Sequence, residues 1–313
     1  MTSLCHIRES VRQIGENTWL LGGKYMIQHN KKPTDGEPLS KDFIDYKIFE
    51  APKTVPDSVS IPPGSHLRLI HDVGNASAVF SVGDKLVLKV KKVHKDQPRE
   101  DDTLEFLAKQ TLSFEYPAFL VSMKVEDRIY MLEQQMSGER LNERWWDMSE
   151  EKKEHVVTRV AEICMELKNF QSPAMTGIDI HWMDPLRESG QQDYQTESLQ
   201  KHCESLGMDC STFVFSHNDL GPTNILVHGD KVTVIDWELA GYCPLEWVRT
   251  KFAVCGALNV SRIRDNVYEV DDEYRVRVEK KLADMGFPEV TEAYNKMNEE
   301  RSEKWIEAHP WLQ

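Results

Sequence analysis

The chain has 313 residues, of which 40% are hydrophobic and 29% charged, and it carries a formal net charge of −14 at pH 7. This length suits two modest lobes or one large domain, and the hydrophobic content excludes a disordered chain as the default. The acidic balance argues against a nucleic-acid-binding surface. It is compatible with a small cationic partner, although acidic surfaces more often serve solubility.

The cysteines and the N-terminal residues indicate where the protein is expected to work. The six cysteines show no C-x-x-C spacing and are too sparse for a disulfide scaffold, so we expect reduced thiols. The N-terminal residues lack the apolar core of a signal peptide, and no apolar run approaches the ~18 residues of a membrane span. We therefore expect a cytoplasmic protein with no membrane partner.

Residues 1–60 are treated as an N-terminal extension of uncertain structure to which no chemistry is assigned. A short helix is predicted near residues 4–14. From Leu67 the pattern changes to three short strands, separated by turn signals at 74–77 and 83–84. A small antiparallel sheet is predicted to begin here.

Lys89 lies inside the third of these strands, on a face with Val87. A strand lysine one hairpin after a turn of small residues can reach the phosphates of a nucleotide that the turn covers. Lys89 can equally begin a solvated basic run with the lysines that follow, and this segment alone does not separate the two interpretations. The turn has one glycine, Gly74, and no G-x-G-x-x-G motif, so it does not by itself indicate nucleotide binding.

A helix is predicted over residues 99–110, because acidic residues open it where the helix dipole favours them. Glu100 and Glu105 on this helix are both candidates to pair with the strand lysine, although most helix-surface glutamates face water. Two more strands are predicted over 118–125 and 128–135. Residues 61–136 would thus form an N-lobe of about five strands and one helix.

Residues 137–313 are predicted to form a mainly helical C-lobe. Its first long helix is predicted over 149–170, with a capping box at Asp147 and Glu150. A second core helix is predicted over 245–258, followed by a charged helical tail over 271–311.

Residues 213–238 contain short apolar runs, two of which flank a turn signal at 228–230. This pattern predicts a β-hairpin. With the turn centred near Asp230, Ile225 would face Ile235 across the hairpin.

Asn224 and Asp236 are then predicted to lie opposite each other at the open end of this hairpin, roughly 5 Å apart at Cβ. An amide oxygen and a carboxylate at that spacing can share a hard cation such as Mg²⁺. Asp219, five residues before Asn224, would lie on the loop that leads to this end.

These residues also form a recognisable motif. HNDLGPTN at 217–224 fits H-x-D-x-x-x-x-N, and Asp236 follows within IDWE. Together they resemble the aminoglycoside phosphotransferase and choline kinase-like family, and the continuation IDWELAGYCPLEW is similar to its fungal branch. The resemblance covers roughly residues 67–258. It implies an α+β, two-lobed, protein-kinase-like fold with a small antiparallel-sheet N-lobe and a mainly helical C-lobe.

The resemblance implies roles for the motif residues of the C-lobe. Asp219 would orient the acceptor hydroxyl and take its proton, while Asn224 and Asp236 would hold Mg²⁺. His217 is expected to brace the loop. Asn218 stands where the family commonly has glycine, and asparagine tolerates unusual backbone angles better than most residues.

The resemblance also implies an ATP site. Lys89 would contact the phosphates and be fixed by an ion pair with Glu100, the earlier of the two helix glutamates. The turn that contains Gly74 and Ser77 would cover the phosphates. The adenine would bind backbone groups of the lobe connection, from Gln134 to Met136.

The predicted activity is ATP-dependent transfer of the γ-phosphate to a hydroxyl of a small molecule. A catalytically silent nucleotide-binding or scaffold protein on the same fold is the alternative, motivated by the glycine-poor turn. A protein kinase has less support, because no Ala-Pro-Glu segment follows the metal-binding aspartate. The acidic charge favours an amine-bearing, cationic acceptor, and we expect Asp193, Glu197 or Asp209 to lie near it. No nucleic-acid or protein partner is evident.

Overall fold

A computed structural model describes residues 6–30, 39–55, 57–93, 99–176 and 196–308. The chain divides into two compact units. The first, here called the sheet unit, contains Met1–Gln97 and Pro117–Met136. The second, the helical unit, contains Pro98–Tyr116 and Ser137–Gln313. The helix predicted to accompany the five strands therefore groups with the helical unit.

The sheet unit begins with a 3-10 helix, Ile7–Ser10. Its first antiparallel sheet has four strands in chain order, β1 (Val11–Gly15), β2 (Thr18–Leu21), β3 (Tyr25–His29) and β4 (Tyr46–Glu50). The second sheet has the order β5-β6-β7-β9-β8, with β5 (Leu67–Asp72), β6 (Ser77–Val82), β7 (Leu86–Lys92), β8 (Phe119–Val125) and β9 (Arg128–Gln134). The strands predicted from residue 67 onward are confirmed.

Both sheets of this unit contribute to one hydrophobic core. Trp19 and Leu21 of the first sheet are fully buried in the same cluster as Phe80 and Leu88 of the second. The helix predicted near residues 4–14 is wrong beyond Ser10, because Val11 is buried and pairs with Leu21 as the start of a strand. Residues before 60 thus add a second sheet to this unit.

The helical unit contains seven helices among the described residues: α1 (Glu100–Leu107), α2 (Leu141–Arg144), α3 (Glu150–Leu167), α4 (Thr196–Ser205), α5 (Leu245–Val254), α6 (Glu273–Asp284) and α7 (Thr291–Ala308). Its short strands are β10 (Glu139–Arg140), β11 (Gln171–Ser172), β12 (Phe213–Ser216), β13 (Ile225–His228), β14 (Lys231–Val234), β15 (Gly241–Cys243), β16 (Val260–Arg264) and β17 (Val267–Asp271). They form three small antiparallel sheets, β10-β13-β14, β11-β12-β15 and β16-β17. In the described part of the chain, no helix is long and apolar enough to cross a membrane.

The long helix α3 buries Val156, Val160 and Leu167 at helical spacing, as the sequence pattern predicted. The capping box expected at Asp147 and Glu150 is wrong. Ser149 is the N-cap and accepts a hydrogen bond from the backbone N–H of Lys152, because the chain is still in a preceding 3-10 helix at 145–147. The five cysteines among the described residues are reduced thiols, as expected.

The hairpin β16–β17 was not predicted. Its two-residue turn, Asp265–Asn266, has positive φ at both positions, 52° and 63°. This conformation matches the twist of antiparallel strands and suits Asp and Asn. The charged tail that follows is two helices rather than one, because Gly286, with φ of 80°, ends α6.

Candidate active site

Asp219 lies on the loop of residues 217–224 that joins β12 to β13, here called the catalytic loop. Asp219 is half-buried, whereas His217 and Asn218 immediately before it are buried. The two polar residues before Asp219 are therefore enclosed by the fold, whereas Asp219 itself is partly accessible to solvent.

His217 is fully buried and is hydrogen-bonded through both ring nitrogens. Its Nδ1 accepts from the backbone N–H of Asp219 at 3.1 Å, and its Nε2 lies 3.0 Å from the carbonyl oxygen of Ile235. Because an amide N–H only donates and a carbonyl only accepts, the proton of a neutral imidazole is on Nε2. Burial lowers the pKa of His217 to about 4, so the ring stays neutral at physiological pH.

Asn218 has a positive φ of 63°, the conformation that glycine adopts most easily. Its side-chain amide donates to the carbonyl of Leu239 at 3.2 Å and accepts from the Cys243 thiol at 3.6 Å. Its backbone carbonyl accepts a hydrogen bond from the buried ammonium of Lys251. Asparagine thus supplies both the left-handed conformation and bonds that glycine lacks.

The loop also bonds to α6 immediately after Asp219. The hydroxyl of Tyr274 donates to the carbonyl of Leu220 at 2.8 Å, and this tyrosine is fully buried. Burial raises the pKa of Tyr274 well above its usual value, so the hydroxyl remains a donor. The residues on either side of Asp219 are therefore both anchored to the helical unit.

Asn224 contacts Asp219 directly. Its Nδ2 donates to the carboxylate oxygen Oδ2 of Asp219 at 2.7 Å and to the backbone carbonyl of Asp219 at 3.0 Å. An amide nitrogen has two hydrogens, and these two bonds use both. The amide oxygen Oδ1 is consequently the Asn224 atom that can bind a cation.

The hairpin register differs by one residue from the prediction. Ile225 pairs with Val234, and the backbone N–H of Ile235 donates to Asn224 O at 2.9 Å. The turn has two residues and begins at Gly229, whose φ is 61°, rather than being centred on Asp230. Asn224 therefore lies opposite Ile235, and the predicted cross-strand pair of Asn224 with Asp236 is wrong.

Asp236 instead lies just beyond the strand, in the left-handed region with φ of 65° and ψ of 67°. The backbone N–H of the next residue, Trp237, donates to Glu100 Oε1 at 3.0 Å. The ring of Trp237 also meets His217 edge-on, with centroids 4.5 Å apart. Glu100 on α1 thus fixes the turn that carries Asp236, a contact that the sequence did not indicate.

Lys89 is in β7 of the sheet unit and is only 7% exposed, which excludes the interpretation that it begins a solvated basic run. Its Nζ lies 3.1 Å from Oε1 of Glu133, a buried carboxylate on the neighbouring strand β9. The predicted ion pair with Glu100 would join residues of different units and stays a prediction.

The remaining predicted ATP-site residues also belong to the sheet unit. Gly74, with φ of 58°, and Ser77 bound the turn between β5 and β6, where the N–H of Gly74 donates to the Asp72 carboxylate at 2.9 Å. The backbone N–H of Gln134 donates to Ala118 O at 2.9 Å, so it is used within the unit. Met136 is half-buried just after β9. The assignment of all four to ATP stays a prediction.

The residues expected near the acceptor are only partly within the described chain. Asp193 and the side chain of Glu197 lie outside the described residues. Asp209 is exposed, and its carboxylate accepts from the backbone N–H of Ser211 at 2.8 Å, which lowers its pKa. Its assignment to the acceptor stays a prediction.

The model of the phosphotransferase enzyme family matches residues 69–247, which is more than half of the chain. The matched range includes Lys89, the catalytic loop and Asp236. The chain belongs to the phosphotransferase enzyme family. No curated protein matches this phosphotransferase family member.

Solved structures similar to this phosphotransferase family member include aminoglycoside phosphotransferase APH(3'')-Id from Streptomyces rimosus ATCC10970. It is 17% identical with a TM-score of 0.50, and the alignment covers 75% of this chain and 93% of that chain. The streptomycin–ATP–APH(2'')-IIa ternary complex is 19% identical with a TM-score of 0.48, covering 69% and 76% respectively. The ADP-bound APH(2'')-Ib is 18% identical with a TM-score of 0.46, covering 74% and 80%. The predicted α+β, protein-kinase-like fold is confirmed.

Sequence reasoning missed three supporting residues of this phosphotransferase family member: Glu133, Lys251 and Tyr274. Glu133 follows the apolar run at 129–132, where a charged side chain is unusual, and this was a signal for it. Lys251 follows Arg249 and Thr250, and Tyr274 stands between Glu273 and Arg275, so neither had such a signal. Their partners are far away in the sequence, so their contacts were not readable from local spacing.

Proposed function

We propose that the protein transfers the γ-phosphate of ATP to a hydroxyl group of a small molecule. The observation that carries this proposal is the catalytic loop, in which Asn224 orients the carboxylate of Asp219 and His217 fixes its backbone. Membership of the phosphotransferase enzyme family supports the same reaction class.

Asp219 would act as the base. An ionised carboxylate only accepts hydrogen bonds, so it can hold the acceptor hydroxyl and align its oxygen with the γ-phosphorus. As the new oxygen–phosphorus bond forms and the bond to ADP breaks, the hydroxyl proton passes to Asp219. The bond from Asn224 Nδ2 to Oδ2 keeps the carboxylate in one orientation during this step.

Asn224 and Asp236 would hold Mg²⁺. Their donor set fits this ion, because an amide oxygen and a carboxylate are hard oxygen ligands and Mg²⁺ takes its other ligands from water and phosphates. Among the described residues, no three His, Cys, Asp or Glu side chains group as metal ligands, so the site would rest on these two oxygens. When bound, Mg²⁺ would supply positive charge to the β- and γ-phosphate oxygens.

Lys89 would contribute the second positive charge to the phosphates. It is buried on a strand beside Glu133, which restricts where its ammonium group can lie. The pair of Lys89 with Glu100 is part of the proposal. The similarity to aminoglycoside phosphotransferase APH(3'')-Id supports a small-molecule acceptor here.

The decisive experiment is a phosphate-transfer assay with γ-labelled ATP and a library of hydroxylated metabolites. Asp219→Asn should lower transfer by roughly 10²–10⁴-fold, the contribution of a general base, with an unchanged circular-dichroism spectrum. Asp230→Asn is the matched control, because this hairpin-turn carboxylate is 86% exposed and should leave transfer unchanged.

Three outcomes would contradict the proposal. Undiminished transfer in Asp219→Asn removes the role of this residue. Label incorporated into protein substrates favours a protein kinase. Failure of Mg-ATP to bind in calorimetry favours a catalytically silent protein on the same fold.

A further inference from the structure

The chain reverses its direction just after helix α4. The backbone N–H of Gly207, whose φ is 89°, donates to Glu204 O at 3.0 Å, and the N–H of Met208 donates to Cys203 O at 3.1 Å. These two bonds form the Schellman motif, which ends a helix at a left-handed glycine. The segment that leaves α4 is therefore bonded to the last turn of the helix.

This reversal brings Cys210 beside Cys203. The Cys210 thiol donates to the backbone carbonyl of Gln200 at 3.8 Å. Gln200 and Cys203 are three residues apart on α4, so they are neighbours on the helix surface. The thiols of Cys203 and Cys210 are hydrogen-bonded to each other. Two cysteines that are seven positions apart in the sequence thus have their sulfur atoms in contact.

The two thiols differ in their access to solvent. Cys203 is fully buried, whereas Cys210 is half-buried in a segment without regular secondary structure. A reagent in solution therefore reaches Cys210 first. Cys203 lies next to it and can attack the Cys210 sulfur once that sulfur carries a leaving group.

The surroundings of both thiols disfavour the thiolate form. Burial raises the pKa of Cys203 to about 12 and that of Cys210 to about 11. Three nearby carboxylates add to the raised pKa of Cys210: Glu204 on α4, Glu246 on α5 and Asp209 in the intervening segment. Since only the thiolate attacks a disulfide, the pair reacts slowly at neutral pH and faster as the pH rises.

We propose that Cys203 and Cys210 are a redox-modification site at which an intrachain disulfide forms, with a small-molecule disulfide as the oxidant. The Cys210 thiolate attacks one sulfur of the oxidant, which forms a mixed disulfide and releases one small thiol. The Cys203 thiolate then attacks the Cys210 sulfur, which forms the protein disulfide and releases the second small thiol. The two protein thiols are oxidised, the small disulfide is reduced, and both thiol protons pass to the released molecules.

The disulfide ties the end of α4 to the segment that enters β12. Cys210 is three residues before Phe213, where β12 begins, and β12 leads directly into the catalytic loop. In the reduced protein the reversal is held by hydrogen bonds, and it opens when they break. The covalent bond keeps Cys210 on α4, so oxidation slows the local opening of residues 206–212. This site does not depend on the proposed phosphotransfer.

The test treats the full-length protein with 2-hydroxyethyl disulfide, a neutral oxidant, and follows the tryptic peptide 202–231 by mass spectrometry. This peptide contains Cys203 and Cys210 and no other cysteine. We expect it to become lighter by two hydrogen atoms and to resist alkylation by iodoacetamide until a reductant is added. The rate should rise about tenfold per pH unit between about pH 7 and about pH 9, as the thiolate fraction does below the pKa.

Three variants separate the steps. Cys210→Ser removes the accessible thiol, so the buried Cys203 should remain unmodified. Cys203→Ser keeps the accessible thiol and should stop at the mixed disulfide, which adds one hydroxyethylthio group to the peptide. Cys255→Ser is the matched control, because this half-buried thiol lies outside the peptide, and it should form the internal disulfide as the wild type does. Circular dichroism checks the fold of each variant.

The inference is overturned if peptide 202–231 of the oxidised wild type keeps two thiols that iodoacetamide alkylates, or if it ends as a mixed disulfide without the internal bond. Loss of the internal disulfide in Cys255→Ser, or a rate that does not rise with pH, would also overturn it. Amide hydrogen exchange over residues 206–212 should be slower in the oxidised than in the reduced wild type and unchanged by the oxidant in Cys210→Ser. Equal exchange in both states of the wild type would refute the tie between α4 and β12.

Discussion

The imidazole of His217 accepts a hydrogen bond from the backbone N–H of Asp219 at 3.1 Å. The same ring bonds to the carbonyl of Ile235, the residue before Asp236. One buried neutral side chain therefore fixes the backbone at the proposed catalytic base and next to a proposed metal ligand. A protonated ring would lose the first bond, because Nδ1 would then carry a hydrogen.

His217 should make the protein less stable as pH falls. Its pKa is about 4 in the folded protein and 6.5 when exposed, so between these values the unfolded chain binds the proton and the folded chain does not. The free energy of unfolding should therefore fall by about 1.4 kcal/mol per pH unit as pH decreases through this window. Urea unfolding at about pH 5 and about pH 6, both inside this window, measures the slope.

His217→Gln is the control for that slope, because glutamine keeps a donor and an acceptor and does not titrate in this range. The stability difference between wild type and variant should shrink as pH falls. Equal pH dependence of the two proteins would show that another group is responsible.

Asn218 should tolerate glycine better than alanine. Asn218→Gly keeps the positive φ and loses the bonds to Leu239 and Cys243, so we expect a loss of about 1 kcal/mol in the free energy of unfolding. Asn218→Ala loses the same bonds and adds about 1–2 kcal/mol for a side chain in the left-handed region. Thermal unfolding of the two variants tests whether the glycine variant is the more stable. Equal stability would show that the left-handed conformation at position 218 adds no cost for alanine.

The fold was more predictable than the site geometry. Strands β5 to β9 and helix α3 follow from alternating or helical spacing of apolar residues, which is a local property of the chain. The sheet of β1 to β4 was missed because its strands are short and separated by polar segments at 30–45. The hairpin register was wrong by one residue, since a two-residue turn at Gly229 and a three-residue turn have similar sequences.

The site residues could be predicted from the sequence where they belong to a local motif. They could not be predicted where their role depends on contacts between distant segments. The residue types and spacing of HNDLGPTN pointed to Asp219 and Asn224. The bonds of Glu100 to Trp237 and of Lys89 to Glu133 join separate segments, and no local pattern encodes them. Neither bond contradicts the predicted ion pair of Lys89 with Glu100, which would link the two units.

The buried ion pair of Lys89 and Glu133 should show strong coupling. Glu133→Leu removes the carboxylate that lies 3.1 Å from the buried Lys89 ammonium, and we expect a loss of about 3–5 kcal/mol in the free energy of unfolding. Lys89→Met with Glu133→Leu removes both charges, so the double variant should be more stable than Glu133→Leu alone. Urea unfolding of the two single variants and the double variant measures the coupling, and additive losses would contradict it.

Asn224→Ala should raise the Mg²⁺ concentration needed for half-maximal phosphate transfer. The variant removes the proposed ligand Oδ1 and both bonds to Asp219, so we also expect a lower kcat. A Mg²⁺ titration at saturating ATP measures both effects. Asn169→Ala, which alters an exposed amide at the end of α3, is the matched control, and an unchanged Mg²⁺ requirement in Asn224→Ala would exclude the metal role.

Tyr274→Phe should slow phosphate transfer although this residue lies outside the catalytic loop. The substitution keeps the buried ring and its edge-on contact with Trp145, and it removes one donor from the carbonyl of Leu220. An unpaired buried carbonyl costs about 1–3 kcal/mol, and the loop can lower this cost by shifting toward another donor. Because Leu220 follows Asp219 directly, such a shift would misplace the carboxylate, and we expect kcat to fall roughly tenfold with little change in the KM for ATP. Tyr268→Phe, on the exposed hairpin, is the matched control, and a kcat of Tyr274→Phe equal to that of this control would show that α6 does not position the base.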